Sequence, residues 1–562
     1  MQRRWLVSEC GDALAANNLC RELGIPSFLA SLLLARGLRD PEAAGAYLKP
    51  RMMSLQAPEL LPAMNVAVER ILAAMAGKER IVLYGDYDVD GVSSLAILSR
   101  FLGAMGTPVA CFLPQRIGEG YGLSAAGIAR CCAEHNPQLL IAVDCGTTSV
   151  REIRGLRERG VDVIVLDHHE PADELPDCLA LVNPKLGEDF HYLCSAGVAF
   201  KVAHAILKKQ RVDGVDLKDY LDLVALATIA DIVPLVGENR IFVWHGLKRM
   251  AHTKWVGLAA LMRVADVQEP IRGTDIGFRL GPRINAAGRL GSAQRALDLL
   301  TTDDASEARN LAATLDTENR ERQNVERGVV RDVEQWVEEN FSAERDTSII
   351  AGRREWHVGV LGIVASKLMR RHHRPTLLVG FDDSGIGKGS GRSIEGLSLT
   401  AMLKECSQHL EKFGGHEMAA GLTVTEEAFP AFRAAFESSA RSRATRDIFT
   451  PCLKMDTEIA LHELGSNLLS SQDMIEPFGM ANEQPVFFTR ALKPIGTPRV
   501  MKEKHLKMEF AINRQRLAAV FFNAQLSDLP PPPWDVAYTL DWNSWQGNVD
   551  AQMRIVEIRH AQ

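Results

Sequence analysis

Three short apolar runs in the first third of the chain each end in acidic residues, and helix-like segments separate them. The runs are RIVLYG, LLIAVD and VDVIVLD. Because short apolar runs are typical of buried strands, their alternation with helices predicts an α/β fold with a mostly parallel, doubly wound sheet. The carboxyl ends of neighbouring parallel strands open onto one crevice, where ligands bind. We therefore expect the acids that follow these runs to lie close together.

The acids and histidines that follow the runs can bind metal. They are Asp86, Asp88, Asp90, Asp144, Asp167, His168 and His169. A further acid, Asp231, interrupts the apolar segment ATIADIVPL and could turn inward to join them. An Asp after a strand commonly caps the next helix, and Asp86, Asp90 or Asp167 could have that role. A helix needs one cap rather than three alternating carboxylates, so the mixed Asp and His set favours a pair of Mn²⁺ or Mg²⁺ ions.

The length of 562 residues is typical of about three or four domains. Hydrophobic periodicity and charge predict five segments. They are an N-terminal helical segment at 1–48, an α/β domain at 49–302 that carries the acids, a long charged connecting helix at 303–343, a smaller α/β domain at 344–440 and a β-rich domain, a small barrel or sandwich, at 441–562. The connecting segment is strongly charged and has a single glycine, which is typical of a long, largely exposed helix.

Composition indicates a soluble chain. The net charge of −7 does not point to nucleic acid, although a whole-chain sum can hide a basic channel. The ten cysteines show no zinc-ligand spacing, which favours reduced thiols in a cytoplasmic protein. No signal peptide and no apolar stretch of about 20 residues is visible. Nothing in the sequence requires an oligomer, so we expect a monomer.

The motifs resemble those of a known superfamily. GDYDVDGVSS, VDCGTTS, LDHHE and ATIADIVPL, in this order, are similar to the four motifs of the DHH phosphoesterases. WHVGVLGIVASKL, GKGSGRSIEG and FGGHEMAAG resemble the associated DHHA1 domain. Together with RLGPRINAAGRLG and a tail that resembles an oligonucleotide-binding (OB) fold, the pattern is similar to the RecJ family of bacterial single-strand-specific DNA exonucleases. The likeness covers nearly the whole chain.

The resemblance implies a two-metal-ion exonuclease that hydrolyses single-stranded DNA in the 5′→3′ direction in recombination and repair. It implies metal ligands at Asp88, Asp90, Asp144, His168 and Asp231. Asp144 would bridge two ions, and His169 would face the scissile phosphate. Asp86 matches an acid characteristic of the RecJ branch. Other branches have a histidine where this chain has Tyr84, so we expect Asp86 to supply the remaining ligand and to complete a catalytic group with Asp144, His168 and His169.

The glycine-rich stretch GIGKGSGRSIEG could bring backbone N–H groups, Ser390 and Arg392 close to a phosphate, although a simple turn is the alternative. The resemblance implies that this stretch holds the DNA 5′ end. The full set of expected substrate-binding residues is Arg116, Arg283, Arg289, Ser390, Gly391, Arg392 and His416. For the arginines the alternative is an ion pair, and for the histidine a buried, hydrogen-bonded position. The tail aromatics could stack on bases or fill a barrel core.

Two other functions remain open at this point. One is a phosphodiesterase of the same superfamily that acts on short oligonucleotides or cyclic dinucleotides; Tyr84, the connecting helix and the C-terminal domain count against it. The other is a non-catalytic single-strand-binding scaffold, against which the retention of every matched ligand counts. The resemblance further implies co-operation with single-stranded-DNA-binding protein and a helicase.

Overall fold

The computed structural model describes residues 3–8, 12–115, 119–120, 122–460, 463–512, 515–545 and 548–561. The chain forms two compact units. The larger unit comprises Trp5–Gly281, Leu297–Ala308 and Leu453–Gln562. The smaller unit comprises Met1–Arg4, Pro282–Ala296 and Arg309–Cys452. Among the described residues, no helix is long and apolar enough to cross a bilayer.

The larger unit contains a five-stranded parallel sheet, which confirms the predicted α/β class. Its strands lie in the order Ala110–Phe112, Ile81–Gly85, Leu139–Val143, Asp162–Leu166 and Ala180–Val182. The three predicted apolar runs form its three central strands. The register aligns their last residues, Gly85, Val143 and Leu166. The acid that follows each strand therefore leaves the sheet at the same level.

The larger unit also contains helices before, between and after these strands. They are Ala13–Leu23, Ser27–Ala35, Pro41–Leu48, Met64–Ala76, Val89–Ala104, Ala125–His135, Val150–Glu158, Ser195–Lys209, Leu221–Ala230, Gly237–Met250 and Val256–Val264. Three of them, Val89–Ala104, Ser195–Lys209 and Leu221–Ala230, pack against one another. Gly273–Asp275 is a single helical turn that continues into a π-helical turn at Ile276–Leu280. These helices carry or border most of the residues that we discuss below.

The C-terminal part of the larger unit is one seven-stranded sheet, mostly antiparallel. Its order is Thr457–Glu458, Phe487–Leu492, Trp534–Trp545, Asn548–His560, Gln515–Phe522, His505–Ile512 and Arg499–Met501, and the helix Ser466–Asp473 accompanies it. A short separate sheet pairs Arg4–Val7 with Cys452–Met455. The helices at the N-terminus share a core with the large sheet: Leu29 and Leu33 belong to the same buried cluster as Phe487 and Phe510.

The smaller unit contains a second five-stranded sheet. Its order is Lys412–Gly415, Ala419–Thr425, Ile386–Arg392, Thr376–Phe381 and Ile349–Arg353. Its helices are Val358–His372, Leu399–Glu405 and Phe429–Arg443. The helices Gly281–Leu290, Gln294–Thr301 and Ala305–Asn340 span the boundaries of the units. The last is the expected connecting helix and is about 54 Å long. Part of it is buried rather than exposed, because Val329, Val333 and Val337 pack in a core cluster.

Candidate active site

The first strand leads into a tight turn that positions two carboxylates. Asp88, rather than the expected Asp86 or Asp90, caps the helix Val89–Ala104, because its Oδ1 accepts hydrogen bonds from the N–H groups of Asp90 (2.9 Å) and Gly91 (3.1 Å). A methyl group at Gly91 would lie 2.4 Å from the carbonyl oxygen of Asp86. Only glycine therefore allows this close approach of the two backbone segments.

Asp90 is fixed by the start of another helix. Its two carboxylate oxygens accept hydrogen bonds from the N–H groups of Ser195 (2.7 Å) and Ala196 (2.9 Å), at the N-terminus of Ser195–Lys209. Helix N-termini favour negative charge, so this contact stabilises a buried carboxylate. The Ser195 hydroxyl also donates to Oδ1 of Asp144 at 2.9 Å. Ser195 was not among the predicted site residues, because its only signal in the sequence is a small polar residue at the start of an apolar helix.

Asp144 occupies a strained position. Its φ of 62° lies in the left-handed region, where residues other than glycine are uncommon and the cost is about 1–3 kcal/mol. Its N–H donates to the carbonyl of Leu166 on the neighbouring strand. The strain and the hydroxyl contact together aim the carboxylate into the cluster.

His168 lies among three carboxylates. Its Nε2 is 3.5 Å from Oδ1 of Asp144, 3.5 Å from Oδ2 of Asp231 and 3.8 Å from Oδ2 of Asp90. Three overlapping groups have ligand atoms within 4.8 Å of one another. They are Asp86, Asp88 and Asp144; Asp90, His168 and Asp231; and Asp144, His168 and His169. The structure thus brings together all the acids and histidines that were expected to bind metal except Asp167, which belongs to none of these groups.

The electrostatics of this cluster fit divalent cations. Burial, reinforced by the neighbouring carboxylates, raises the pKa of Asp90 to about 6 and that of Asp231 to about 9. It also raises the pKa of Asp144 well above its usual value. Burial lowers the pKa of His168 to about 3, so the ring is neutral at pH 7. Oδ2 of Asp231 is buried and accepts no hydrogen bond from the described residues. Hard carboxylate oxygens and a neutral imidazole suit Mn²⁺ or Mg²⁺.

Asp167 and His169 form a hydrogen-bonded pair beside this cluster. Nδ1 of His169 lies 2.7 Å from Oδ1 of Asp167. Burial alone would raise the pKa of Asp167 and lower that of His169, but their contact outweighs it, so the pKa of Asp167 falls and that of His169 rises to about 9. Asp167 also accepts the N–H groups of Thr147, His168 and His169. The imidazole ring is therefore held in its charged form, with Nε2 on the side opposite Asp167.

Tyr84 takes no part in this arrangement. Its hydroxyl donates to the carbonyl of Gly122 at 3.2 Å, and its ring packs 4.9 Å from that of Phe112 in a buried apolar cluster. Because its side chain is buried in that apolar cluster, Tyr84 does not replace the histidine of other branches. Asp86, which lies with Asp88 and Asp144, stays our prediction for the remaining ligand.

The glycine-rich stretch is a strand rather than the loop or turn considered above. Ile386–Arg392 pairs with strands on both sides, so its backbone N–H groups belong to the sheet and do not form the expected cradle. The glycines serve packing: a methyl group at Gly391 would lie 2.4 Å from Leu377. Arg392 is half-buried, and its Nη1 donates to the Gly391 carbonyl (2.7 Å) and the Ser390 hydroxyl (3.3 Å).

The other expected substrate contacts have different surroundings. Arg283 forms an ion pair of 2.9 Å with Asp316, and Nη1 of Arg289 donates to the Gly359 carbonyl at 3.0 Å. His416 is exposed in the turn between Lys412–Gly415 and Ala419–Thr425, which excludes the buried alternative. Arg116 lies outside the described residues.

The tail aromatics divide between core and surface. Trp534 and Tyr538 are buried in the core of the C-terminal sheet, whereas Phe522 is exposed and Trp542 is half-buried. The side chain of Trp545 lies outside the described part of the chain. Among the tail aromatics with described side chains, Phe522 and Trp542 thus keep surface that a base could reach.

Three protein-family models match the chain. They are the DHH family, N-terminal domain, at residues 80–228, the DHHA1 domain at residues 346–442, and the RecJ OB domain at residues 455–557. The first contains the strands and most of the acids of the candidate site, and the second contains Ser390, Arg392 and His416. The resemblance drawn from the motifs is thereby confirmed.

Curated relatives and solved structures agree with the family models. The single-stranded-DNA-specific exonuclease RecJ of Bacillus subtilis is 36% identical over 98% of this chain and 70% of that protein. The protein of the same name from Haemophilus influenzae is 34% identical over 94% of this chain and 95% of that protein. The crystal structure of RecJ in complex with Mn²⁺ from Thermus thermophilus has a TM-score of 0.86 and 31% identity, and covers 100% of this chain and 80% of that one. The chain belongs to the RecJ family.

Proposed function

We propose that this chain is a two-metal-ion exonuclease that hydrolyses single-stranded DNA in the 5′→3′ direction, in DNA recombination and repair. The observation that carries the proposal is the set of three overlapping carboxylate and imidazole groups at the end of the parallel sheet. The relatives carry the name of single-stranded-DNA-specific exonucleases. The alternative, a phosphodiesterase for short oligonucleotides or cyclic dinucleotides, is not favoured, since a RecJ OB domain follows the DHHA1 domain in this chain.

We assign the metal ligands from the ligand groups. Asp86, Asp88 and Asp144 would hold one ion, and Asp90, His168 and Asp231 would hold the other, with Asp144 shared between them. When bound, two divalent ions lower the pKa of a water molecule and neutralise negative charge on the phosphate.

The chain's own residues orient and balance this site. The N-terminus of Ser195–Lys209 fixes Asp90, and the Ser195 hydroxyl fixes Asp144. Neutral His168 adds no negative charge beside a phosphate. His169, held charged by Asp167, presents Nε2, from which it would donate a hydrogen bond to a phosphate oxygen.

We further propose that the side chains of Ser390 and Arg392, on either side of Gly391, bind the 5′ phosphate, with Arg116, Arg283, Arg289 and His416 as additional contacts. The guanidinium of Arg392 supports this assignment. It is half-buried, burial lowers its pKa, and no carboxylate pairs with it in the described ranges. A buried cation without a carboxylate partner favours an anionic ligand.

The domain assignment follows the same logic. Residues 49–302 would carry catalysis, 344–440 the 5′-end site and 441–562 the binding of the single strand, with 1–48 as a helical segment and 303–343 as the connecting helix. Single-stranded-DNA-binding protein and a helicase are proposed partners of a cytoplasmic monomer.

The test uses a single strand labelled at its 3′ end, incubated with the protein in Mn²⁺, Mg²⁺ or EDTA. Duplex DNA and a 5′-blocked strand accompany it. Asp144→Asn removes the shared ligand with little change of shape. Asp213→Asn, which alters an exposed carboxylate on a loop, is the matched control.

We expect a ladder of shortening 3′-labelled products from the free single strand, absent in EDTA and with Asp144→Asn and unchanged with Asp213→Asn. Cleavage of very short strands alone would favour the phosphodiesterase. Tight binding without any cleavage would contradict both enzymatic functions.

A further inference from the structure

We infer that Ile232 and Phe278 form an apolar rim beside the metal ligands that contacts unpaired bases and thereby favours single-stranded substrate. The inference rests on the proposed nuclease function and goes beyond it, because it names the groups that read the unpaired state of the DNA. Both side chains belong to the larger unit, as do all the proposed metal ligands.

Ile232 directly follows the proposed ligand Asp231, at the end of the helix Leu221–Ala230. Its side chain is 69% exposed, so burial does not account for an apolar residue here. Its φ of 59° lies in the left-handed region, where a β-branched residue is an outlier. Such strain persists only where the surroundings impose it, and it concentrates at functional sites.

Phe278 reaches the same neighbourhood from another segment. It lies in the π-helical turn Ile276–Leu280 and is 80% exposed. The turn ends at Gly281, where an added methyl group would lie 3.4 Å from Cβ of Ala230 and 3.9 Å from Cγ2 of Val89. Ala230 precedes Asp231, and Val89 stands between Asp88 and Asp90. π-helical turns are rare and occur frequently at functional sites.

Both segments pack against one turn of the C-terminal region. The N–H group of Leu235 donates to the Met480 carbonyl at 2.8 Å. A methyl group at Gly273, at the start of the segment that carries Phe278, would lie 2.8 Å from the carbonyl oxygen of Phe478. Met480 is itself 50% exposed. Single exposed apolar residues are ordinary. The segments that carry Ile232 and Phe278, however, contact the same C-terminal turn, and both lie next to the residues of the carboxylate cluster.

Unpaired bases are the occupant that fits this rim. A strand whose phosphate sits at the carboxylate cluster brings its nearest bases close to the segment that carries Ile232, the residue after Asp231. In single strands the base faces are open to aromatic and aliphatic side chains, whereas in duplex they are stacked and paired. An aromatic ring binds any base face, so the rim discriminates by pairing state and not by sequence.

The experiment removes the base and the ring separately. Single strands with a 5′ phosphate and a 3′ label carry one abasic residue at each of the first few positions in turn, and the first cleavage is followed under single-turnover conditions with Mn²⁺. The variants are Phe278→Ala, Phe278→Tyr and Ile232→Asn; asparagine tolerates positive φ and so keeps the backbone of Asp231. Leu14→Ala, which removes another exposed apolar side chain, 84% exposed, is the control.

With the wild-type protein, we expect an abasic residue at one or two positions to slow cleavage roughly tenfold, the size of one stacking contact. Phe278→Ala should cleave the intact strand as slowly as the wild type cleaves the abasic strand. The variant should cleave the abasic strand at that same rate, and the equal rates would also show that its metal site is intact. Phe278→Tyr, which keeps an aromatic ring, should retain the effect of the abasic residue, and Leu14→Ala should change neither the rate nor that effect. Ile232→Asn should abolish the abasic effect at its own position.

Equal rates of the wild-type protein on intact and abasic strands would overturn the inference and leave the nuclease function standing. A Phe278→Ala variant whose cleavage is still slowed by an abasic residue at every position would likewise overturn the role of the ring. So would an equal ratio of single-strand to duplex cleavage rates in the wild type and the variants. Absence of cleavage by the wild-type protein would contradict the proposed function, and the inference with it.

Discussion

Replacing Asp231 by Asn should abolish activity and yet stabilise the metal-free protein. In the metal-free state the carboxyl has a pKa of about 9, against an ordinary 3.8. A carboxyl whose folded pKa is raised takes up a proton on folding, so the free energy of unfolding falls as pH rises from about 3.8 to about 9. About three pH units separate 3.8 from pH 7, and each unit lowers the free energy of unfolding by about 1.4 kcal/mol. The carboxyl therefore costs up to about 4 kcal/mol at pH 7.

Asp231→Asn keeps the shape and removes this cost. In EDTA at pH 7, we expect the variant to unfold at a higher denaturant concentration than the wild type, and the difference to vanish near pH 4. Titration calorimetry with Mn²⁺ in buffers of different ionisation enthalpy gives a second readout. The wild type should release about one more proton than the variant, because ligands must be deprotonated to bind metal.

The control is Asp213→Asn, which alters an exposed carboxylate and should change neither stability nor proton release. Two results would refute the reasoning. One is a variant no more stable than the wild type in EDTA at pH 7. The other is metal binding by the wild type at pH 7 without proton release, which would mean that the carboxylates are already ionised in the metal-free protein.

Three further predictions concern packing and buried charge. Gly91→Ala should lower Mn²⁺ affinity about tenfold, because the methyl group would lie 2.4 Å from a backbone carbonyl oxygen; Gly103→Ala on the same helix, where a methyl group meets nothing within 4 Å, should not. Lys201→Met leaves Glu238 buried without its ion-pair partner and should lower the free energy of unfolding by about 3–5 kcal/mol. Adding Glu238→Gln should restore part of this loss, as measured by thermal melts. Burial raises the pKa of Asp222 to about 6. Asp222→Asn should therefore raise the free energy of unfolding by up to about 3 kcal/mol at pH 8 and leave it unchanged at pH 4. Equal shifts of the melting temperature at both pH values would contradict this.

The parallel sheet and the gathering of acids could be predicted because both depend on local patterns. Apolar runs form strands, and parallel register then aligns the residues that follow Gly85, Val143 and Leu166. The contact between Ser195 and Asp144 could not be predicted in this way. It joins residues far apart in sequence, and its geometry depends on where the helix Ser195–Lys209 begins relative to the end of the strand Leu139–Val143.

The glycine-rich stretch was misjudged for a related reason. Glycines at alternate positions in Ile386–Arg392 indicate a loop when only backbone freedom is considered. In the structure they make room for Leu377, Val379 and Leu422 on neighbouring strands. The ion pair between Arg283 and Asp316, on the connecting helix, could not be predicted from the sequence either. In both cases the deciding neighbour lies on another element.

The core shared between the N-terminal helices and the C-terminal sheet has a consequence for synthesis of the protein. Phe28 packs 5.5 Å from Phe487, and the Tyr47 hydroxyl donates to Asn482 at 2.5 Å. These N-terminal helices therefore leave the ribosome well before the strands that cover them, and their apolar faces stay uncovered for a time on the order of tens of seconds. During that interval they are exposed to aggregation and to chaperones. A truncation at either end of the chain would make that exposure permanent.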